Sequence, residues 1–95
     1  MKVMIAGGGI GGLTLALSLH QAGCHDVRVF EAAKAFAPLG VGINILPHAF
    51  RELTELGLGD ELAALGVATA ELAYHNRHGQ QIWSEPRGIA AGYHW

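Results

Sequence analysis

The sequence predicts an α/β fold built on a βαβ unit and extended by a β-hairpin, and three observations carry that prediction. Val3, Met4 and Ile5 form a short, continuously apolar run, the pattern of a strand buried on both faces of a parallel sheet. Gly7, Gly9 and Gly12 follow at G-x-G-x-x-G spacing, and a helix-like segment comes after them. A second strand-like run, residues 27–30, leads into Glu31, about 20 residues beyond the last of these glycines. Strand, glycine turn, helix, strand and acid in that order make a Rossmann-like βαβ unit that binds a dinucleotide.

The spacing has a physical reason. Gly7 turns the chain sharply out of the strand, Gly9 has no Cβ and lets a pyrophosphate approach the backbone, and Gly12 lets the helix lie close to the strand. The N–H groups at the helix start, together with the positive end of its dipole, then face the phosphates. Glu31, at the tip of the second strand, is placed to accept hydrogen bonds from both hydroxyls of an adenosine ribose. A carboxylate there repels a 2′-phosphate, which makes NADP a poor ligand for this site. Glycine makes up 14 of the 95 residues, so the spacing alone is also met by an ordinary glycine-rich turn. The context separates the two readings: Ala16 keeps the helix close to the sheet, Gly23 stops it, and the acid stands at the right distance.

The first helix is expected over residues 11–22. Leu13, Leu15, Ala16, Leu17 and Leu19 leave it little polar face, so it should be covered on more than one side. His20 and Gln21 are polar at its C-terminal end, where a histidine serves the helix dipole more often than it ligates, and Gly23 is the expected C′ residue. Residues 32–46 contain Pro38, Gly40 and Gly42 and read as a long loop, a kind of segment that is usually functional. Gly40 and Gly42 either let backbone approach a ligand or serve turns of positive φ, and both readings stand.

Pro47 suits the first position of a second helix. Leu46, Ala49, Phe50, Leu53 and Leu56 recur at helical spacing, and Gly57 ends the segment. A short third helix over residues 60–65 begins with two acids and stops at Gly66. From Val67 the period changes to alternation through Ala70, Leu72 and Tyr74. Asn76-Arg-His-Gly79 is a turn, the chain returns through residues 81–84, and Pro86 closes the strand. This is a β-hairpin. His75 and His78 near its tip read as solvated loop residues in preference to metal ligands.

Composition narrows the function. A net charge of −2 gives no basic footprint for nucleic acid, and no apolar run approaches the ~18–20 residues of a membrane span. Met1 leads straight into the first strand, which leaves no room for a signal peptide, and the single Cys24 has no partner for an internal disulfide. Cys24 reads as a small loop residue in preference to a catalytic thiol. A reducing cytoplasm is therefore expected, with neither nucleic acid nor membrane as partner. Hydrophobic residues make up 51% of the chain and charged residues only 15%, rich for so short a sequence. One βαβ unit cannot cover both faces of its own sheet, and the sequence closes on an apolar Trp95. These features lead to the expectation of an incomplete three-layer domain, the N-terminal portion of something larger.

Three stretches carry a family resemblance. They are Met4-Ile-Ala-Gly-Gly-Gly-Ile-Gly-Gly-Leu-Thr-Leu-Ala16, Val29-Phe-Glu31, and Gly40-Val-Gly-Ile-Asn-Ile-Leu-Pro-His-Ala-Phe-Arg-Glu-Leu-Thr-Glu-Leu-Gly-Leu58. Together they closely resemble the start of single-component (class A) FAD-dependent aromatic monooxygenases, the hydroxylases of the p-hydroxybenzoate and salicylate type. The tail Glu85-Pro-Arg-Gly-Ile-Ala-Ala-Gly-Tyr93 resembles the subgroup that contains phenazine-carboxylate monooxygenases. The resemblance runs along the whole chain, but the chain matches only about the first quarter of such an enzyme. Flavin amine oxidases share the opening turn but usually continue with a Gly-Gly-Arg element, which is not found here.

The resemblance implies a glutathione-reductase-type FAD-binding fold, FAD as cofactor, NAD(P)H as co-substrate and a small aromatic substrate. It implies that Gly7, Gly9, Ile10, Gly11, Gly12 and Glu31 hold the pyrophosphate and the adenosine ribose. Gly40 and Gly42 would lie in the loop that meets the flavin side, and Arg51 would either face cofactor or substrate or stand as a solvated helix charge. The family often has Arg after the ribose-binding acid, where this chain has Ala32. Either a polar contact near the adenosine is missing or Lys34 supplies it. The family's later FAD signatures and its substrate sheet lie far downstream, so this chain alone is not expected to hydroxylate.

Two other readings compete. The same turn and Glu31 would serve an NAD-binding module of a dehydrogenase, although such modules usually continue in strict β-α-β order. The chain would alternatively be a non-catalytic remnant that self-associates through its apolar first helix and Trp95.

Overall fold

The computed structural model describes residues 1–38, 40 and 42–94. The chain divides into two units, Met1–Ile43 and Asn44–Trp95. In the first, β1 (Lys2–Ala6) pairs in parallel with β2 (Asp26–Phe30), in register from Lys2 opposite Asp26 to Ala6 opposite Phe30. The helix α1 (Ile10–Gln21) connects them. It starts and ends one residue earlier than the apolar pattern predicts, and its end follows the chemistry read from Gly23. That residue has φ +90°, its N–H donates to the His20 carbonyl at 3.0 Å, and the Cys24 N–H donates to the Leu19 carbonyl at 2.8 Å. These two bonds form a Schellman cap, which an L side chain at Gly23 would strain. The few polar side chains of α1 are satisfied within it: Thr14 donates to the Ile10 carbonyl and Ser18 to the Thr14 carbonyl.

The expectation that the first strand is buried on both faces is corrected. Ile5 is the one buried apolar side chain among the described residues, at 7% exposure, whereas Met4 is 70% exposed. The first unit has a single helix against its two strands, so the side chains that alternate to the other face of the sheet meet no second layer. The same count corrects the expectation for α1. It rests against β1 and β2, and Ile10, Leu13, Leu15 and Leu17 remain exposed. The loop expected after Glu31 holds no helix or strand among its described residues.

In the second unit α2 (Pro47–Glu55) begins with proline in its first turn after an extended Leu46, as its sequence requires. It ends in another Schellman cap: Gly57, at φ +85°, donates to the Thr54 carbonyl, and Leu58 donates to the Leu53 carbonyl. The next helix, α3 (Gly59–Leu65), packs on α2 through the buried Gly59. The predicted hairpin is present as β3 (Glu71–His75) antiparallel to β4 (Gln81–Pro86). Tyr74 and Trp83 stand opposite each other with stacked rings, centroids 5.7 Å apart. At the turn, the Asn76 side-chain oxygen accepts from the N–H groups of His78 and Gln80 at 2.9 and 3.0 Å, and Gly79 takes φ +80°. A 3₁₀ turn, Gly88–Ala91, follows the hairpin, an element that no periodicity in the sequence predicts. No helix among the described residues is long and apolar enough to cross a membrane.

Candidate functional site

The site is built where β1 and β2 end side by side. The Gly7 N–H donates to the Phe30 carbonyl at 2.7 Å, which carries the parallel ladder one step past the strands. Gly7 then bends the chain at φ +108°, a conformation an L side chain rarely adopts. Gly9, in extended conformation, is the N-cap of α1, so the helix begins directly above the strand ends. Gly12 lies against the turn: a Cβ on it would collide with the Gly7 carbonyl and press on Ile5. Gly7 thus makes the turn and Gly12 the close approach that their spacing predicts, and Gly9 presents no side chain at the helix start.

The start of α1 is chemically bare. No side chain caps it and no acidic residue stands in its first turn. Around Gly7, Gly9 and Gly11 the direction a Cβ would take meets no atom within 4 Å. The exposed Ile10 occupies the first position of the helix. Backbone N–H groups at an uncapped helix start, approached through glycines, are the donor set that suits a phosphate.

Glu31 completes the cluster. Its Oε2 accepts from the Gly8 N–H at 2.6 Å and its Oε1 from the Ala33 N–H at 3.0 Å. These backbone donors, Ala33 foremost and then Gly8, hold the carboxyl below the ordinary glutamate value. An ionised carboxylate therefore stands at the tip of β2, against the glycine turn and beside the helix start. Among the described residues nothing lies within 4 Å of where a Cβ on Gly7, Gly9 or Gly11 would stand, and the donors and the carboxylate present fit a pyrophosphate with a ribose next to it.

Gly8 is the participant that motif spacing passes over, because it occupies an unspecified position of G-x-G-x-x-G. The run of three glycines was the available signal, since the motif itself requires only the outer two. Gly40 takes φ +70°, and neither Gly40 nor Gly42 has an atom within 4 Å of where its Cβ would lie. Val41 between them, Leu39 and Trp95 lie outside the described residues. Arg51, in the second unit, spends its guanidinium on its neighbour: Nε and Nη2 donate to Glu52 Oε1 at 3.1 and 2.8 Å, on an exposed surface of α2. That carboxylate raises the Arg51 pKa. His20, at the end of α1, places its Nδ1 3.0 Å from that of His25.

Comparison with known proteins agrees with this geometry. Residues 1–88 match the family model described as FAD binding domain. The chain belongs to that family. It is 54% identical over 90 residues to a phenazine 1,6-dicarboxylic acid hydroxylase of Lysobacter antibioticus, which covers 95% of this chain and 22% of the relative. It is 43% identical over 74 residues to an FAD-dependent urate hydroxylase of Klebsiella oxytoca, covering 78% of this chain and 19% of that protein. With a salicylate hydroxylase of Pseudomonas putida the identity is 39% over 94 residues, 98% of this chain and 20% of the relative. The chain thus spans about a fifth of the length of the relatives it matches. The reading as an NAD module of a dehydrogenase is not favoured, because the family match is to an FAD domain along nearly the whole chain.

Proposed function

We propose that this chain is the FAD-binding N-terminal segment of an NAD(P)H- and O₂-dependent flavoprotein monooxygenase that hydroxylates a small aromatic substrate, and that it does not hydroxylate alone. The observation that carries the reading is the Glu31 carboxylate, tied to the Gly8 N–H beside an uncapped helix start. In this reading the backbone at Gly7, Gly9, Ile10, Gly11 and Gly12 binds the pyrophosphate, and Glu31 accepts from the ribose hydroxyls. Gly40 and Gly42 give the backbone room on the flavin side, and Arg51 faces cofactor or substrate. When bound, the flavin supplies the redox and oxygen chemistry; the protein orients it and excludes water. The relatives' names, phenazine 1,6-dicarboxylic acid hydroxylase, urate hydroxylase and salicylate hydroxylase among them, support a small planar aromatic substrate. A reducing cytoplasm suits the single free Cys24.

The test is to titrate the purified chain with FAD, using ADP as competitor and FMN as a control that lacks the adenosine, and then to add NADH with a panel of aromatic acids. FAD binding that ADP displaces, without product, is expected. Failure to bind FAD and ADP overturns the cofactor assignment, and substrate-dependent product overturns the claim that the segment is inactive alone.

A second reading, self-association, is favoured by the exposed Met4, Leu13, Leu15 and Leu17. A monomer on sizing chromatography at every concentration overturns it.

A further inference from the structure

A second cluster of chemistry-bearing side chains lies at the end of α1 remote from the glycine turn. His20 and His25 are both exposed, and their Nδ1 atoms face each other at 3.0 Å with the ring planes inclined at 70°. The link between them is held at each end. The Schellman cap ties Gly23 to the His20 carbonyl and Cys24 to the Leu19 carbonyl, and Asp26, next to His25, pairs with Lys2 in the parallel ladder. The backbone therefore sets the separation of the two rings before any ligand arrives. A neutral pair at this distance holds one ring hydrogen between its Nδ1 atoms. Moving that hydrogen to Nε2 turns both lone pairs toward one point without loss of a proton.

The distance selects the kind of ligand. Metal–nitrogen bonds of about 2.0–2.1 Å to nitrogens 3.0 Å apart enclose an angle of about 91–97°. That is the cis angle of a square-planar or tetragonal ion, whereas a tetrahedral ion would need its nitrogens about 3.3–3.4 Å apart. Among the described residues no group of three His, Cys, Asp or Glu side chains forms a cage, and Cys24 directs its Sγ to the Met1 carbonyl. The remaining coordination positions are left to water.

We propose that His20 and His25 form a two-histidine chelate for a divalent late transition ion of tetragonal preference, Cu(II) or Ni(II). The site stands at the opposite end of α1 from the proposed dinucleotide site. Ile10 and His20 are about 15 Å apart along the helix axis, so ADP and the metal do not compete, and the chelate does not depend on the reading of the glycine turn.

The test is calorimetric titration of the full chain with Ni(II), Cu(II) and Zn(II) salts in a buffer that does not coordinate metal. Cu(II) should bind more tightly than Ni(II), and Zn(II) more weakly. His20→Gln and His25→Gln should each weaken Ni(II) binding at least about tenfold, because loss of a mere outer-shell partner already costs ~10–100-fold. His78→Gln, in the hairpin turn, and Cys24→Ser should leave it unchanged. A second measurement needs no variant: substoichiometric Cu(II) should broaden the ring resonances of His20 and His25 before those of His48, His75 and His78. Full Ni(II) affinity in either His20→Gln or His25→Gln overturns the proposal. So does Ni(II) binding lost with Cys24→Ser, a preference for Zn(II) over Ni(II), or broadening that begins at another histidine.

Discussion

Gly12 lies directly against Gly7, so close that a methyl group on the first would run into the carbonyl oxygen of the second. Both partners belong to the backbone, one in a helix and the other in a turn, and neither can rotate aside. Gly12→Ala should therefore cost about 1–3 kcal/mol, the range for overpacking, at or above its upper end. It should lower the melting temperature by several degrees and weaken FAD binding together with stability. Calorimetric melting and an FAD titration on the same variant check both.

Glu31 makes stability depend on acid in a defined direction. Its folded pKa is lowered, so its contribution is complete above the ordinary glutamate value and is lost as pH falls from there through the lower folded value. Urea unfolding at several pH values should show the unaltered chain more stable than Glu31→Gln at neutral pH, with the gap closing through that acid window. FAD affinity should hold to lower pH than an ordinary glutamate would allow.

Gly59 poses a contest between two effects of known size. Helix propensity alone favours alanine there by about 1 kcal/mol. Against it, a Cβ would meet Thr54 Oγ1 at 2.7 Å, Cγ2 at 3.0 Å and Cβ at 3.1 Å. Threonine is branched and stiff at χ1, and its hydroxyl is already bonded to the Phe50 carbonyl, so it yields poorly. Gly59→Ala should be destabilising by about 1–3 kcal/mol, and adding Thr54→Ala should recover part of the loss. A double-mutant cycle by chemical denaturation measures the coupling.

Arg51 separates stability from binding. Its pair with Glu52 is exposed, and exposed pairs add little. Arg51→Ala should leave the melting temperature unchanged while weakening FAD binding several-fold in the full-length protein. Unchanged binding there would return Arg51 to the surface.

Much of the turn and cap geometry, including the bend at the candidate site, could be read from the residues because its chemistry is local. The glycines that bend or stop the chain at Gly7, Gly23, Gly57 and Gly79 all take positive φ, and Asn76 forms the turn that its side chain favours. What the residues did not reveal depends on distance or on coverage. The role of Gly8 is set by an acid 23 positions away, a separation that motif spacing does not connect. The exposure of Met4 is a matter of which layers exist, whereas an apolar run reports only what a side chain prefers. The 3₁₀ turn at Gly88–Ala91 is too short to have a period.

The undressed opening of α1 has a biological price of its own. A serine or aspartate at Gly9 would have strengthened the free chain by only about 0.3 kcal/mol over glycine's near-equivalent cap, and would have filled the room in which the proposed site receives an anion. With that room kept clear, nucleotide in 100-fold excess over its dissociation constant adds about 2.7 kcal/mol by mass action. Flavin-starved cells should then clear this polypeptide by proteolysis sooner than flavin-replete ones, making vitamin supply a control on its abundance.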